Sequence, residues 1–231
     1  SSINSITALC EVTGAEIHEV VKAIGSDKRI GKKFLTPSPG FGGSCFKKDI
    51  LNLVYLSRLY GLPSVADYWE QVMILNNWQK NRIAELIVHS FFGTLTNKKI
   101  VILGFSFKSN TNDVRESPAI SISRDLMDNG AHLVINDPKV SKKQIKKELL
   151  LNEFEADLTS GGKWYFETKI FSAVNNADAI LIMTEWEEYK KFNWKELTDL
   201  MRKPAWIFDA RKIIPREKLK KLDIHYWQIG T

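Results

Sequence analysis

An α/β fold is predicted, with a helical segment over residues 1–95 followed by a doubly wound parallel sheet over residues 96–231. Three observations point there. Apolar residues recur every three or four positions up to about Leu95, the period of helices with one buried face. From Lys99 the pattern changes to short apolar runs: Ile100-Val101-Ile102-Leu103, Leu133-Val134-Ile135, Ala179 to Met183 and Ala205 to Phe208. Such runs suit strands covered on both faces. Helical patterns separate them, and strand alternating with helix specifies parallel pairing.

The elements follow in order. Ile3, Ile6, Leu9 and Cys10 make one helix face, interrupted at Gly14. Ile17, Val20, Val21 and Ile24 make a second, stopped at Gly25. Arg29 to Phe46 carries Gly31, Pro37, Pro39, Gly40, Gly42 and Gly43 and breaks the helical pattern. Phe34, Leu35, Phe41 and Phe46 are too apolar to leave in water, so a packed loop is expected there rather than a linker. Asp49 is expected in the first turn of the next helix, with Cys45 just ahead of it and Ile50, Leu51, Leu53, Val54, Leu56 and Leu59 following. Gly61 to Ser64 then separates this helix from a long one over Val65 to Phe92. Past the first strand, Ser117 to Met127 is helical and closes at Asn129-Gly130. Lys169-Ile170-Phe171 reads as a weak strand, Ser172 to Asn176 as a short helix, and His225 to Ile229 as a last strand. The resulting sheet is Rossmann-like.

Composition sets bounds on function. With 44% hydrophobic and 26% charged residues in 231, the chain can build a core. No window reaches the roughly 18–20 apolar residues of a membrane helix, and Ser1-Ser2-Ile3-Asn4 does not resemble a signal peptide. Two cysteines make no disulfide framework, which favours a reducing, cytoplasmic setting and leaves a single bridge open. The charge, 33 − 27 = +6, is a weak pointer to any partner. The basic runs Lys142 to Lys147 and Lys218 to Lys221 read as solvated helix faces, with Ile145, Leu149 and Leu150 turned inward. No aromatic residues interleave to stack bases, so neither nucleic acid nor membrane is expected as a partner. His18, His89, His132 and His225 have no metal-ligand spacing.

Three stretches hold chemistry. In Gly40-Phe41-Gly42-Gly43-Ser44-Cys45-Phe46-Lys47-Lys48-Asp49, glycines let a ligand approach the main chain. A helix N-terminus and two lysines would favour the Cys45 thiolate, the form that attacks carbonyl carbon, with Asp49 four residues on. A small buried cysteine beside a plain turn fits the same residues. Gly104-Phe105-Ser106-Phe107-Lys108 follows the first strand and so lies at the ligand-binding edge of a doubly wound sheet, but it is no G-x-G-x-x-G fingerprint. Lys108 also fits a surface lysine, and Arg115 and Glu116 a local ion pair. At Asp209-Ala210-Arg211, a planar guanidinium suits carboxylate or phosphate, and equally a structural salt bridge. Thr184-Glu185-Trp186 reads as packing and capping.

Phe41-Gly42-Gly43-Ser44-Cys45-Phe46, Lys48-Asp49 and Leu51 to Tyr55 closely resemble the UDP-glucose dehydrogenase family, especially its animal branch. Asn4-Ser5-Ile6, Ala8 to Glu11, Arg29-Ile30-Gly31, Ile102 to Phe105, Asp113 to Ser117, Asp137 to Val140 and Thr184 to Trp186 match in the same order. The resemblance implies oxidation of UDP-glucose at C6 to the acid with two NAD⁺. Cys45 matches the nucleophile and Asp49 the carboxylate that works with water. Phe34, Leu35, Phe41, Gly42, Ser44, Phe107, Lys108 and Arg211 match substrate contacts, with Arg29 reaching the sugar from a neighbouring subunit. Arg115 matches a cation on the NAD side. The resemblance further implies a homodimer or higher homo-oligomer through the helices. It places the main NAD site on an amino-terminal domain that these residues do not match, so the chain alone is expected to be inactive. Thr36 stands where the animal enzymes carry Lys at the uracil side. A non-catalytic UDP-sugar-binding and dimerisation module, or a dehydrogenase of another nucleotide sugar, are the alternatives.

Overall fold

The computed structural model describes residues 1–31, 33–150 and 161–231 and begins with helices α1 (Ser2–Thr13) and α2 (Ile17–Ile24). Ile3 and Cys10 of α1 close on Ile17 of α2, burying most of the face expected from the spacing, while Leu9 turns to solvent. Helix α3 (Ser44–Leu59) and helix α4 (Pro63–Ser90) then pack along each other. Pro63 opens α4 at the position where a missing N–H costs nothing.

Their shared core is small: Ile50 and Val54 of α3, one turn apart, meet Ala66 of α4 beneath Phe41, Trp69 and Val72. Leu51, Leu53, Leu56 and Leu59 lie 37–61% exposed, so only one stripe of the apolar surface expected on α3 is covered within the chain. Two further expectations change here. Helix α3 starts at Ser44, which places Cys45 inside its first turn and Asp49 beyond it. Phe34 and Phe46, expected to pack, are 96% and 52% exposed. Phe46 still sets its ring edge-on against Phe41 at 4.7 Å.

The second half is built on strands β1 (Lys99–Leu103), β2 (His132–Asn136), β3 (Lys163–Phe166), β4 (Ala179–Ile182), β5 (Trp206–Asp209) and β6 (His225–Gln228). All pair in parallel in the order β3-β2-β1-β4-β5-β6, the doubly wound arrangement. Successive residues of β1 serve opposite faces, as the two-residue strand period requires. Ile100 and Ile102 join Ile83 and Ile87 of α4 and Ile122 and Leu126 of α5 (Pro118–Asp128). Val101 and Leu103 join Val174 of α7 (Ile170–Val174) and Leu197 of α9 (Trp194–Asp199). Helix α4 therefore belongs to both halves, its start packed on α3 and its end on the sheet.

Helix α6 (Lys142–Leu149) carries the first basic run outward over buried Ile145 and Leu149. Leu150, expected inward, caps it in a left-handed conformation and is 80% exposed. The weak strand expected at 169–171 is absent: Lys169 caps α7, and the strand is Lys163–Phe166. Its pairing is supplied by register with β2 and by Trp164, which is fully buried. Short helices α8 (Glu187–Lys190) and α10 (Arg216–Leu219) complete the wrap. Among the described residues no helix is long and apolar enough to cross a membrane, and Cys10 and Cys45 are both free.

Candidate active site

The glycine-rich loop is held from below by amides. Asn76 of α4 accepts the Phe41 N–H at 2.8 Å and donates to the Phe41 carbonyl at 3.3 Å, acting as a strand would. Gln79 donates to the Ser38 carbonyl, and Asn4 of α1 accepts the Ser38 N–H at 3.0 Å. All three side chains are buried, where an unpaired amide would be costly, so the loop is fixed by satisfied hydrogen bonds. Lys80 passes under Gly40. Burial lowers its pKa, partly offset by Glu116, with Lys47 opposing the offset.

From above, the loop presses on the segment after β1. The Gly43 N–H donates to the Arg115 carbonyl at 2.8 Å. A Cβ on Gly42 would lie 2.6 Å from the Glu116 carbonyl oxygen and 2.9 Å from Phe107, so no other residue fits without displacing the backbone there. Gly43, at φ 87°, begins the turn into α3.

A cleft of about 450 Å³ opens beside this contact. One wall is Ser38, Gly40, Phe41 and Gly42, and Lys33, Phe34 and Thr36 extend it. The opposite wall is Phe107 after β1, Glu185 after β4 and Arg211 after β5. Those three loops leave the carboxyl ends of β1 and β4, which flank the reversal of strand order, and of the next strand β5; doubly wound sheets take their ligands at this edge. Arg211 is pinned: Nε donates to the Met183 carbonyl at 2.7 Å, an Nη donates to the Phe107 carbonyl at 3.2 Å, and Glu185 lies 3.2 Å away. Burial lowers the Arg211 pKa, with Glu185 opposing the shift.

An adjoining depression of about 390 Å³ is lined by Ser44, Lys47, Lys48, Leu51, Arg115, Glu116 and Glu148. Cys45 is exposed in the first turn of α3, which has no side-chain cap and no acidic residue, so its free backbone N–H groups face incoming negative charge. Asp49, one turn on, is also exposed and shares that face of the helix. Arg115 lies within electrostatic range of Cys45. Lys47 pairs with both oxygens of Glu116 at 2.9 Å.

The loop after β1 has no glycine fingerprint, and the structure shows what shapes it instead. Asp137, at the end of β2, accepts from the Phe105 and Ser106 N–H groups at 2.7 and 3.1 Å. It also accepts from the Ser106 hydroxyl, the Trp186 indole, and the Lys139 and Val140 N–H groups. An acid in this place commonly holds a dinucleotide ribose. Here both oxygens are committed to the protein, so the sheet's own crevice does not fit a dinucleotide.

The structure brings Phe34, Phe41, Gly42, Phe107 and Arg211 to one cleft, and Ser44 and Arg115 to its neighbour, while Cys45, Asp49 and Lys108 line neither. Leu35 is half-buried, and Lys108 is exposed with its ammonium 5.3 Å from the Phe107 ring centre. Arg29 is 89% exposed, paired with Asp27, and faces neither cavity. Arg115 pairs with Asp113, not Glu116, at 2.7 Å, and the guanidinium holds the Asp113 carboxyl below its usual range. Glu185, expected to serve packing and capping, is a wall residue, and so are Lys33 and Ser38, which sequence reasoning passed over.

Comparison with known proteins agrees with this layout. Residues 1–78 match the central domain of the UDP-glucose/GDP-mannose dehydrogenase family, and residues 101–216 match its UDP binding domain. The chain is 44% identical over 239 aligned positions to UDP-glucose 6-dehydrogenase 3 of Arabidopsis thaliana and 46% identical over 235 to UDP-glucose 6-dehydrogenase of Caenorhabditis elegans. All of this chain is covered in both, against 50% and 48% of theirs, so it spans about half the length of these curated relatives. A UDP-glucose dehydrogenase from Pyrobaculum islandicum superposes with a TM-score of 0.74 at 25% identity, over 97% of this chain and 46% of the other. On these matches, which run through both halves in order, the chain belongs to the UDP-glucose/GDP-mannose dehydrogenase family.

Proposed function

We propose that this chain is the substrate-side portion of an NAD-dependent UDP-glucose 6-dehydrogenase, which oxidises UDP-glucose to UDP-glucuronate. The observation that carries the reading is an exposed cysteine on a helix N-terminus, held by a clamped glycine loop beside a cleft with a buried arginine. Residues 1–95 form the central domain and residues 96–231 the UDP-sugar domain, in a cytoplasmic enzyme.

Cys45 attacks the C6 aldehyde to give a thiohemiacetal, whose oxidation leaves a thioester. Asp49, on the same helix face, directs water onto the thioester carbon, releasing the acid and restoring the thiol. The aldehyde arises by oxidation of the C6 alcohol, and bound NAD⁺ would supply the hydride acceptor for that oxidation and for the oxidation of the thiohemiacetal. Arg115, exposed beside Cys45, fits a contact to that cofactor from this side, whereas the crevice closed by Asp137 does not. Phe34, Leu35, Phe41, Gly42, Ser44, Phe107 and Lys108 bed the nucleotide sugar, and Arg211 meets its hexose. Arg29, solvated in the single chain, serves the site of a neighbouring subunit.

The exposed apolar surface of α3 and α4, with Leu59, Tyr60 and Tyr68 at 61–74% exposure, supports self-association through these helices. It equally supports the second reading, a UDP-sugar-binding and dimerisation module without catalysis. Cys45→Ala in the complete enzyme separates the two. It abolishes formation of the acid while UDP-glucose binding persists, and the chain on its own forms no NADH. Unchanged turnover in the variant discards the assignment of the nucleophile.

A further inference from the structure

The back wall of the cleft carries a carboxylate where an anionic ligand is expected. Glu185 sits there with its side chain 32% exposed, 3.2 Å from the Arg211 guanidinium, whose side chain is 10% exposed. One Glu185 oxygen receives only long contacts at 3.4 Å from the Ser109 N–H and hydroxyl. The other is buried, has no hydrogen bond, and faces Arg211 as a counter-charge alone. The direction of Arg211 is already fixed by the Met183 and Phe107 carbonyls, so the carboxylate is not needed to aim it. What it supplies is charge balance. Lys33, by contrast, is an exposed cation on the same cleft.

We infer that Glu185 is a specificity-determining residue: it neutralises Arg211, so that this end of the cleft donates hydrogen bonds to an uncharged hexose and gives no net attraction to a charged one. The inference rests on the proposed UDP-sugar site. Its logic is electrostatic. Two opposite charges about 3 Å apart present a dipole to a ligand, and the field of a dipole falls off faster than that of an isolated guanidinium in a poorly solvated wall. The substrate of the proposed reaction carries a neutral hexose, while its product carries a carboxylate. A balanced wall therefore favours the first and eases departure of the second.

The test is titration calorimetry of UDP-glucose and UDP-glucuronate against the complete enzyme, read as the ratio of the two dissociation constants. Glu185→Gln retains an acceptor for Ser109 and removes the charge. It tightens UDP-glucuronate relative to UDP-glucose by about five- to tenfold, the scale of one partly screened charge. Glu185→Asp keeps the charge and leaves the ratio within about twofold of the parent. Arg211→Gln strips the cation, leaves the carboxylate, and shifts the ratio the opposite way; adding Glu185→Gln to it removes both charges and returns the ratio to within about twofold of the parent, which decides the matter should Glu185→Gln alone not fold. A ratio unchanged in Glu185→Gln, or a double variant that behaves as Arg211→Gln alone, overturns the role of Glu185 and leaves the site standing. Failure of the parent enzyme to bind either sugar nucleotide overturns the site itself.

Discussion

The two halves of the chain treat their apolar residues differently. In the sheet half, Ile100 through Leu103 and Ala179 through Ile182 have no exposed surface, and helices cover both faces. In the helical half, α3 and α4 share three core residues and leave a row of leucines and tyrosines in water. The sheet half completes its core with the end of α4, whereas the outer face of α3 and the start of α4 stay uncovered within the chain. The difference also separates duties. The sheet half supplies the strand ends at the back of the cleft, and in our proposal the helical half supplies both the reactive sulfur and the subunit contact.

The largest expected effect falls where the halves meet. Glu11 of α1 binds Arg82 of α4 at 2.6 Å, the Trp227 indole of β6 at 3.2 Å and the Gly230 N–H at 2.8 Å. Both charged side chains are largely buried. Glu11→Ala strands Arg82 and costs about 3–5 kcal/mol in urea denaturation. It also splits the unfolding into two transitions if the halves differ as described; a variant that unfolds in one step at the parent midpoint breaks the comparison.

A smaller, opposed pair comes next. Ile102→Ala in β1 costs about 2–5 kcal/mol whatever the protein concentration. Leu59→Ser on α3 changes the stability of the single chain by no more than about 0.5 kcal/mol but lowers the mass seen in light scattering. Equal losses at the two positions would mean that α3 is already covered within one chain.

The smallest effect is set by pH. Burial works against the Glu16 carboxylate, but hydrogen bonds and charges from Lys212 and then Arg216 prevail and hold its pKa below the ordinary value. A carboxylate depressed in the folded state contributes stability above its unfolded pKa, and that contribution is lost as pH falls through the folded one. Thermal melts of the parent and Glu16→Gln therefore differ at neutral pH and converge in acid. A gap that widens in acid contradicts the pairing.

Much of this was legible in the residues, for local reasons. The aliphatic runs of β1, β4 and β5 announce strands because nothing else buries such runs on two faces. Strand β3 was missed because Lys163-Trp164-Tyr165-Phe166 has no aliphatic run and earns its place only by pairing with β2. The start of α3 was misplaced because Gly43-Ser44 resembles loop, while the chain turns helical immediately after that glycine. The Cys45 loop stood out by its glycines; its clamps did not, since Asn76 and Gln79 within a long helix look like solvated positions. The place of Glu185 in the cleft, rather than in packing and capping, was hidden for a related reason. Its partner Arg211 leaves a different strand, and no spacing rule links residues that meet only through the order of a sheet.

The six contacts gathered by Asp137 bear on the cost of association. Since this carboxylate already folds the mouth of the sheet onto itself, an arriving guest finds that stretch of backbone ordered and gives up little entropy to shape it. In the proposed site, changes at Phe107 or Arg211 should then be felt in full rather than diluted by a rearranging main chain after β1.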